Sequence, residues 1–233
     1  VLKIDPLRDT VSTVGSNHGT GIHKWGSCAS LGDIIIGVPY SSPGLLIINT
    51  TDDSSSLYGS ISGSGKWWGA VTVGAYVYGI PRFSTSIIKI SADGSFTTFG
   101  NLSSGDKWLG GVRVDGFVIG IPWFSPSVLR IDVRSSDSIE TFGAAGSGGK
   151  WHGGVVFGGL VYGIPYNSAS VLRVDPFRKT VGTFGSVSGS DKYDGGVLSP
   201  GGFIYGIPRN SASILKIDPI AGTVETFGSV GSA

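Results

Sequence analysis

The sequence predicts an all-β protein, a β-propeller of four-stranded blades, and three observations predict it. A unit of about 42 residues recurs five times in full and a sixth time in part. Inside each unit, short apolar runs alternate with period two, and glycine or proline interrupts them every nine to twelve residues. Forty of the 233 residues are glycine, more than twice the usual share of about 7% and without the period of three that collagen needs. A unit that cannot bury both of its faces must be repeated, and a ring is the closed way to do so.

Four landmarks define the repeat. Lys-Trp stands at Lys24-Trp25, Lys66-Trp67, Lys107-Trp108 and Lys150-Trp151, with Lys192-Tyr193 as the fifth copy. Gly-Ile-Pro starts at Gly79, Gly120, Gly163 and Gly206, and reads Gly37-Val38-Pro39 in the first unit. A strand of the type Val-Leu-Arg-Ile-Asp spans Val1–Asp5, Val128–Asp132, Val171–Asp175 and Ile214–Asp218. Thr-Phe-Gly closes the unit at Thr98, Thr141, Thr183 and Thr226.

Residues 192–228 show how one unit folds. Gly195–Ser199 is the first expected strand, followed by the turn Pro200-Gly201-Gly202. Phe203–Ile207 is the second and stops at Pro208, which cannot donate a ladder bond. Ser213–Ile217 is the third, and Asp218 opens an Asx-type hairpin loop into the fourth, Thr223–Phe227. The pairs Gly110-Gly111, Gly153-Gly154 and Gly195-Gly196 fit an innermost strand where blades crowd together. Cys28 replaces a glycine there and reads as a small packed residue; a lone cysteine forms no intrachain disulfide.

The whole chain, 1–233, is therefore expected to be one propeller domain. It holds a half-blade, 1–23, and blades 24–65, 66–106, 107–149, 150–191 and 192–233. A six-bladed ring is favoured, needing about 20 residues more, with a five-bladed ring or a longer array as alternatives. The chain lacks methionine and opens in mid-motif at Val1, which reads as a processed chain or as a piece of something longer.

Seventeen basic against sixteen acidic residues give no cationic excess, so no nucleic-acid partner is expected. No apolar run approaches the roughly 18 residues of a membrane span. Asn49-Thr50-Thr51 and Asn101-Leu102-Ser103 fit the glycosylation pattern, and Asn49 and Asn101 slightly favour an extracellular setting.

The order of strands in Ser199–Phe227 resembles the broad group of repeat propellers that includes NHL and YVTN-type repeats. The pieces Lys-Trp-x-Gly-Gly-Val, Tyr-Gly-Ile-Pro and Ser-Val-Leu-Arg-Ile-Asp also resemble units of uncharacterised algal and protist repeat proteins. The resemblance covers the whole chain, implies the fold, and transfers no catalytic residue, because the matching positions are scaffold.

Candidate functional residues fall into two sets. The repeat aromatics Trp25, Trp67, Trp108, Trp151 and Tyr193 read as wedges between blades or as sugar-stacking platforms, and the wedge is favoured. Their lysines then point to solvent or to a carboxylate. Scaffold does not dictate the positions where the copies disagree. After Lys-Trp these include Trp68, His152 and Asp194. After the proline they are Tyr40, Arg82-Phe83, Trp123-Phe124, Tyr166-Asn167 and Arg209-Asn210. Such loop aromatics, arginines and asparagines suit recognition of a glycan or protein, or are simple drift of exposed loops.

No metal site and no cofactor are expected. His18, His23 and His152 form no zinc spacing, and Asp52-Asp53 lacks the rest of a calcium loop. The first expectation of function is non-catalytic, lectin-like glycan binding at inter-blade or loop sites. The alternatives are a structural or interaction module of a larger assembly, and a hydrolase or lyase acting at the central channel. The last needs a carboxylate–histidine pair, and Asp106, Asp191 and Asp194 have no histidine in their own unit, so His152 would reach one across the axis. Glu140 and Glu225, ahead of Thr-Phe-Gly, are expected to face water.

Overall fold

The computed structural model describes residues 1–231; the last two residues of the 192–233 unit lie outside them. The described residues form antiparallel sheets, each built from strands consecutive in sequence. The chain divides into two compact units, Val1–Ser104 and Gly105–Ala233.

The first unit opens with the two-stranded sheet β1 (Leu2–Asp5) and β2 (Thr10–Thr13). The first four-stranded blade is β3 (Trp25–Leu31), β4 (Ile34–Pro39), β5 (Leu45–Asn49) and β6 (Ser54–Tyr58). The second is β7 (Trp67–Val73), β8 (Tyr76–Pro81), β9 (Ile87–Ser91) and β10 (Phe96–Phe99). Val38, Leu45, Trp67, Val77 and Ile88 lie in one buried cluster of this unit.

The second unit holds three blades. They are β11 (Trp108–Val114), β12 (Phe117–Pro122), β13 (Val128–Asp132) and β14 (Ser138–Phe142); then β15 (Trp151–Phe157), β16 (Leu160–Pro165), β17 (Val171–Asp175) and β18 (Thr180–Phe184); then β19 (Tyr193–Leu198), β20 (Ile204–Pro208), β21 (Ile214–Asp218) and β22 (Thr223–Phe227). Their cores are continuous from blade to blade: Ile119 and Ile121 share a cluster with Trp151 and Leu172, and Ile164 shares one with Tyr193 and Leu215.

The first strand of each blade begins earlier than the sequence reading placed it, at the aromatic of Lys-Trp. Trp108 faces Pro122 and Gly111 faces Gly120, so one extra residue bulges between them, and the same shift follows Trp151 and Tyr193. Gly110 at the bulge has φ +84° and Gly153 has +67°, a left-handed backbone that glycine adopts without strain. Crowding adds a second demand, because a Cβ on Gly110 would stand 3.0 Å from the Gly153 α-carbon.

Trp67, Trp108, Trp151 and Tyr193 are all at most 3% exposed. Each indole donates its Nε1–H to a carbonyl nineteen residues on, Ser86 for Trp67, Ser127 for Trp108 and Ser170 for Trp151. Tyr193 instead accepts from the Ser211 hydroxyl. Buried rings of roughly 200 Å² each remove on the order of 5 kcal/mol of apolar exposure as an upper figure.

The neighbouring lysines do not point to solvent or to a carboxylate. Lys66, Lys107 and Lys192 are buried, and their ammonium groups donate to backbone carbonyls. Lys192 reaches Ser168 O in the preceding blade and Gly189 O in its own linker, each at 2.8 Å. Lys66 does the same with Ser42 O at 2.9 Å and Gly63 O, and Lys150 bridges Trp123 O and Gly146 O at 2.9 Å each. An ammonium has three donors and the linker turn leaves carbonyls unmatched, so Lys66, Lys150 and Lys192 each clamp their blade to the one before it.

Cys28 is exposed, not packed. It lies in β3, and the half-blade before it supplies only β1 and β2, the counterparts of the outer strands of a complete blade. Glu225 faces water as expected and pairs with Lys216, whereas Glu140 is half-buried and pairs with Arg130 and Lys179.

Candidate functional site

The positions where the repeats disagree are brought together by the backbone. The residue after the proline of Gly-Ile-Pro offers its carbonyl to the lysine N–H of the next blade: Lys66 N to Tyr40 O at 3.0 Å, Lys150 N to Trp123 O at 3.3 Å, and Lys192 N to Tyr166 O at 3.1 Å. The residue two places past that lysine is the other variable position. Each of these seams therefore seats a post-proline side chain beside a post-Lys-Trp one.

In the first unit this gathers Tyr40, Trp68, Arg82 and Phe83. Tyr40 and Trp68 meet edge to face at 4.9 Å, and the Arg82 guanidinium stands 5.5 Å from both rings and 5.3 Å from Phe83. His23 joins them 6.0 Å from Trp68. A cavity of about 390 Å³ opens beside Tyr40, Ser41, Ser64, Gly65 and Phe83.

In the second unit the seam carries titratable chemistry. His152 Nδ1 meets Asp194 Oδ1. The two occupy equivalent positions in successive blades, so the histidine finds its carboxylate next door and not across an axis. His152 is the more sheltered partner, its side chain 17% exposed against 43% for Asp194. Tyr166 and Trp123 wall the pair, with ring centroids 4.9 Å apart and with Tyr166 6.0 Å from the imidazole. Trp123 fits here because Gly149 has no side chain, and a Cβ there would approach the indole to 2.7 Å. Among the described residues the buried Trp123 Nε1–H has no hydrogen-bond partner.

Arg209 completes the arrangement, 4.0 Å from Asp194 and 5.3 Å from the Tyr166 ring centre. Burial pushes the Tyr166 phenol above its usual range; Arg209 opposes the rise and Asp191 adds to it. Asn167 braces the loop, its side-chain oxygen accepting from Asp191 N at 2.7 Å. Phe124 is exposed and touches Trp123 edge to face. Asn210 is exposed, and its backbone N–H donates to Asp191 O.

Of the glycosylation candidates, Asn101 is exposed, whereas the Asn49 side-chain oxygen accepts from Thr51 in an Asx turn. Among the described residues, no group of three His, Cys, Asp or Glu side chains could hold a metal ion, and no helix is long and apolar enough to cross a membrane.

No family model matches the chain, and no curated protein matches it in sequence. Solved structures do match in fold. Virginiamycin B lyase from Staphylococcus aureus superposes with a TM-score of 0.80 at 12% identity, covering 97% of this chain and 76% of the lyase. The chain is a β-propeller. A catalytically inactive histidine-to-alanine variant of the same lyase, solved with quinupristin, gives 0.79 at 12% identity over 95% of this chain and 75% of the other. A streptogramin B lyase gives 0.76 at 9% identity over 90% and 70%. These neighbours correct the first expectation of function: they are enzymes, and they agree with the lyase alternative rather than with a lectin-like binder.

Proposed function

We propose that this propeller is an enzyme of the lyase or hydrolase type in which His152 moves the proton. The observation that carries the reading is the Asp194 carboxylate against His152 Nδ1. A carboxylate there holds the ring proton on Nδ1 and leaves Nε2 as the basic atom. Trp123 and Tyr166 shelter the pair, and Arg209 supplies a cation for negative charge that develops in the reaction.

Two reactions suit such a base. In an elimination, Nε2 takes a proton from the carbon beside a carbonyl, the C–H electrons become a double bond, and the bond to the leaving oxygen breaks with the oxygen keeping its pair. In a hydrolysis, Nε2 takes a proton from water as its oxygen bonds to the ester carbon. The carbonyl then reforms as the bond to the alcohol oxygen breaks, and that oxygen leaves with the electron pair and the proton from Nε2. The similar structures support elimination, since they are lyases and one was made inactive by loss of a histidine. The repeat motifs agree with an NHL or YVTN-like grouping and add no residue to the site.

The test is turnover of quinupristin and of a panel of cyclic and linear esters, read by liquid chromatography and mass spectrometry. Elimination opens a cyclic ester without a change of mass, whereas hydrolysis adds one water. His152→Ala is expected to slow the reaction by roughly 10²–10⁴-fold. No product across the panel, or an equal rate in the variant, removes the reading.

A further inference from the structure

The third and fourth strands of the blades carry a repeated cation arrangement, and one blade has lost both of its partners. In the 107–149 blade, Arg130 on β13 lies opposite Glu140 on β14 and pairs with it, and its guanidinium sits 3.8 Å over the Phe117 ring. In the 192–233 blade, Lys216 lies opposite Glu225, pairs with it at 2.7 Å, and sits 4.4 Å over Phe203. Lys89 in the 66–106 blade sits 4.2 Å over Tyr76. The ring belongs to the residue five places before the Gly-Ile-Pro proline, a diagonal neighbour of the cation on the same sheet face.

In the 150–191 blade the cation is Arg173, and the residue opposite it is Gly182. The ring position holds Leu160. Among the described residues Arg173 makes no hydrogen bond, ion pair or ring contact. A groove of about 380 Å³ takes the place of the missing groups, lined by Leu160, Arg173, Asp175, Arg178, Thr180 and Gly182 among others. Asp175 is already engaged, with Arg178 at 3.0 Å and with the Phe177 and Arg178 amides at 2.9 Å. The Tyr162 phenol is the other titratable group facing Arg173, on the strand beside it. Arg173 therefore remains the uncompensated charge of the groove.

We infer that this groove binds a small aromatic carboxylate, whose carboxylate meets Arg173 where two other blades place glutamate (Glu140 and Glu225) and whose ring takes the place of Phe117 or Phe203. A guanidinium accepts a carboxylate on two parallel N–H bonds and attracts a ring face, so one ligand replaces both lost side chains. The site is separate from the His152–Asp194 pair and does not depend on the proposed reaction.

Benzoate is the probe, followed by the Arg173 Nε–H and the Gly182 amide in ¹⁵N NMR of the whole chain, with acetate and benzamide as the charge-only and ring-only controls. Benzoate is expected to shift both signals saturably with a dissociation constant on the order of millimolar, and each control to bind roughly tenfold or more weakly. Gly182→Glu restores the internal carboxylate. Gly182 has an ordinary backbone angle and nothing within 4 Å of a Cβ, so the substitution is accommodated. It is expected to weaken benzoate by roughly tenfold or more, and Arg173→Gln, which leaves the fold's buried parts untouched, to abolish the saturable shift at Gly182. The inference is overturned if benzoate gives no saturable shift at these two residues. It is equally overturned if acetate does as well, or if Arg173→Gln leaves the affinity unchanged.

Discussion

Replacing Lys192 with methionine tests how the blades are joined. Methionine keeps the length and apolar stem of the side chain and removes the ammonium, which donates to Ser168 O and Gly189 O at 2.8 Å each. Lys192 is 2% exposed, so both carbonyls lose their partner in a site that water barely reaches. Hydrogen bonds to a charged group are worth about 1.5–3 kcal/mol each, and relief of the buried charge returns part of that. A net loss of about 2–4 kcal/mol follows, which for a chain of this size lowers the melting temperature by roughly 5–15 °C. The assay is thermal and urea unfolding by near-ultraviolet circular dichroism. Lys216→Met is the control: its partner Glu225 is well exposed, and the change should leave the melting temperature nearly unchanged. An unchanged or raised melting temperature in Lys192→Met would refute the clamp, because the ammonium would then be tolerated and not structural.

Burial lowers the Lys150 ammonium to about 8 from 10.5, and it lowers Lys66, Lys107 and Lys192 as well. Between about 8 and 10.5 the unfolded chain then holds more protons than the folded one, so stability should rise with pH there and flatten below; a Lys150→Met variant in urea titrations should lose much of that slope. The raised tyrosines Tyr162 and Tyr166 act in the opposite sense, holding protons in the folded state that the unfolded chain releases, so they oppose the rise above about pH 10. Gly149→Leu should displace Trp123 and change the intrinsic fluorescence while the far-ultraviolet spectrum stays, because its Cβ meets the indole ring. Cys28 should react with a maleimide in the native state within minutes, and full protection until unfolding would contradict its exposure in β3.

The blades are legible in the sequence because Lys-Trp, Gly-Ile-Pro and Thr-Phe-Gly each mark a backbone event: a bulge, a strand end and a closing strand. The strand starts lie two residues earlier than the glycine pairs suggest, because Gly153-Gly154 looks like the opening of a strand. The positive φ of Gly153 instead lets the chain bulge and keeps Trp151 in register with Pro165. The lysines mislead because a charged residue beside a tryptophan ordinarily faces water, and the orphan carbonyl that holds Lys192 lies 24 residues away in another blade. Cys28 misleads because small size is also what crowding selects. The seam between His152 and Asp194 does leave a signal. Their numbers differ by one repeat, and equivalent positions of consecutive blades are neighbours, so the carboxylate is found next door without crossing an axis.

Nitrogen-15 NMR of the His152 imidazole in the free protein reaches the proposed chemistry without any substrate. The neutral ring should carry its proton on Nδ1 with Nε2 bare, and Asp194→Asn should disturb that tautomer while the fold persists. A ring protonated on Nε2, or a spectrum indifferent to Asp194, would leave His152 without the partner that makes it a base.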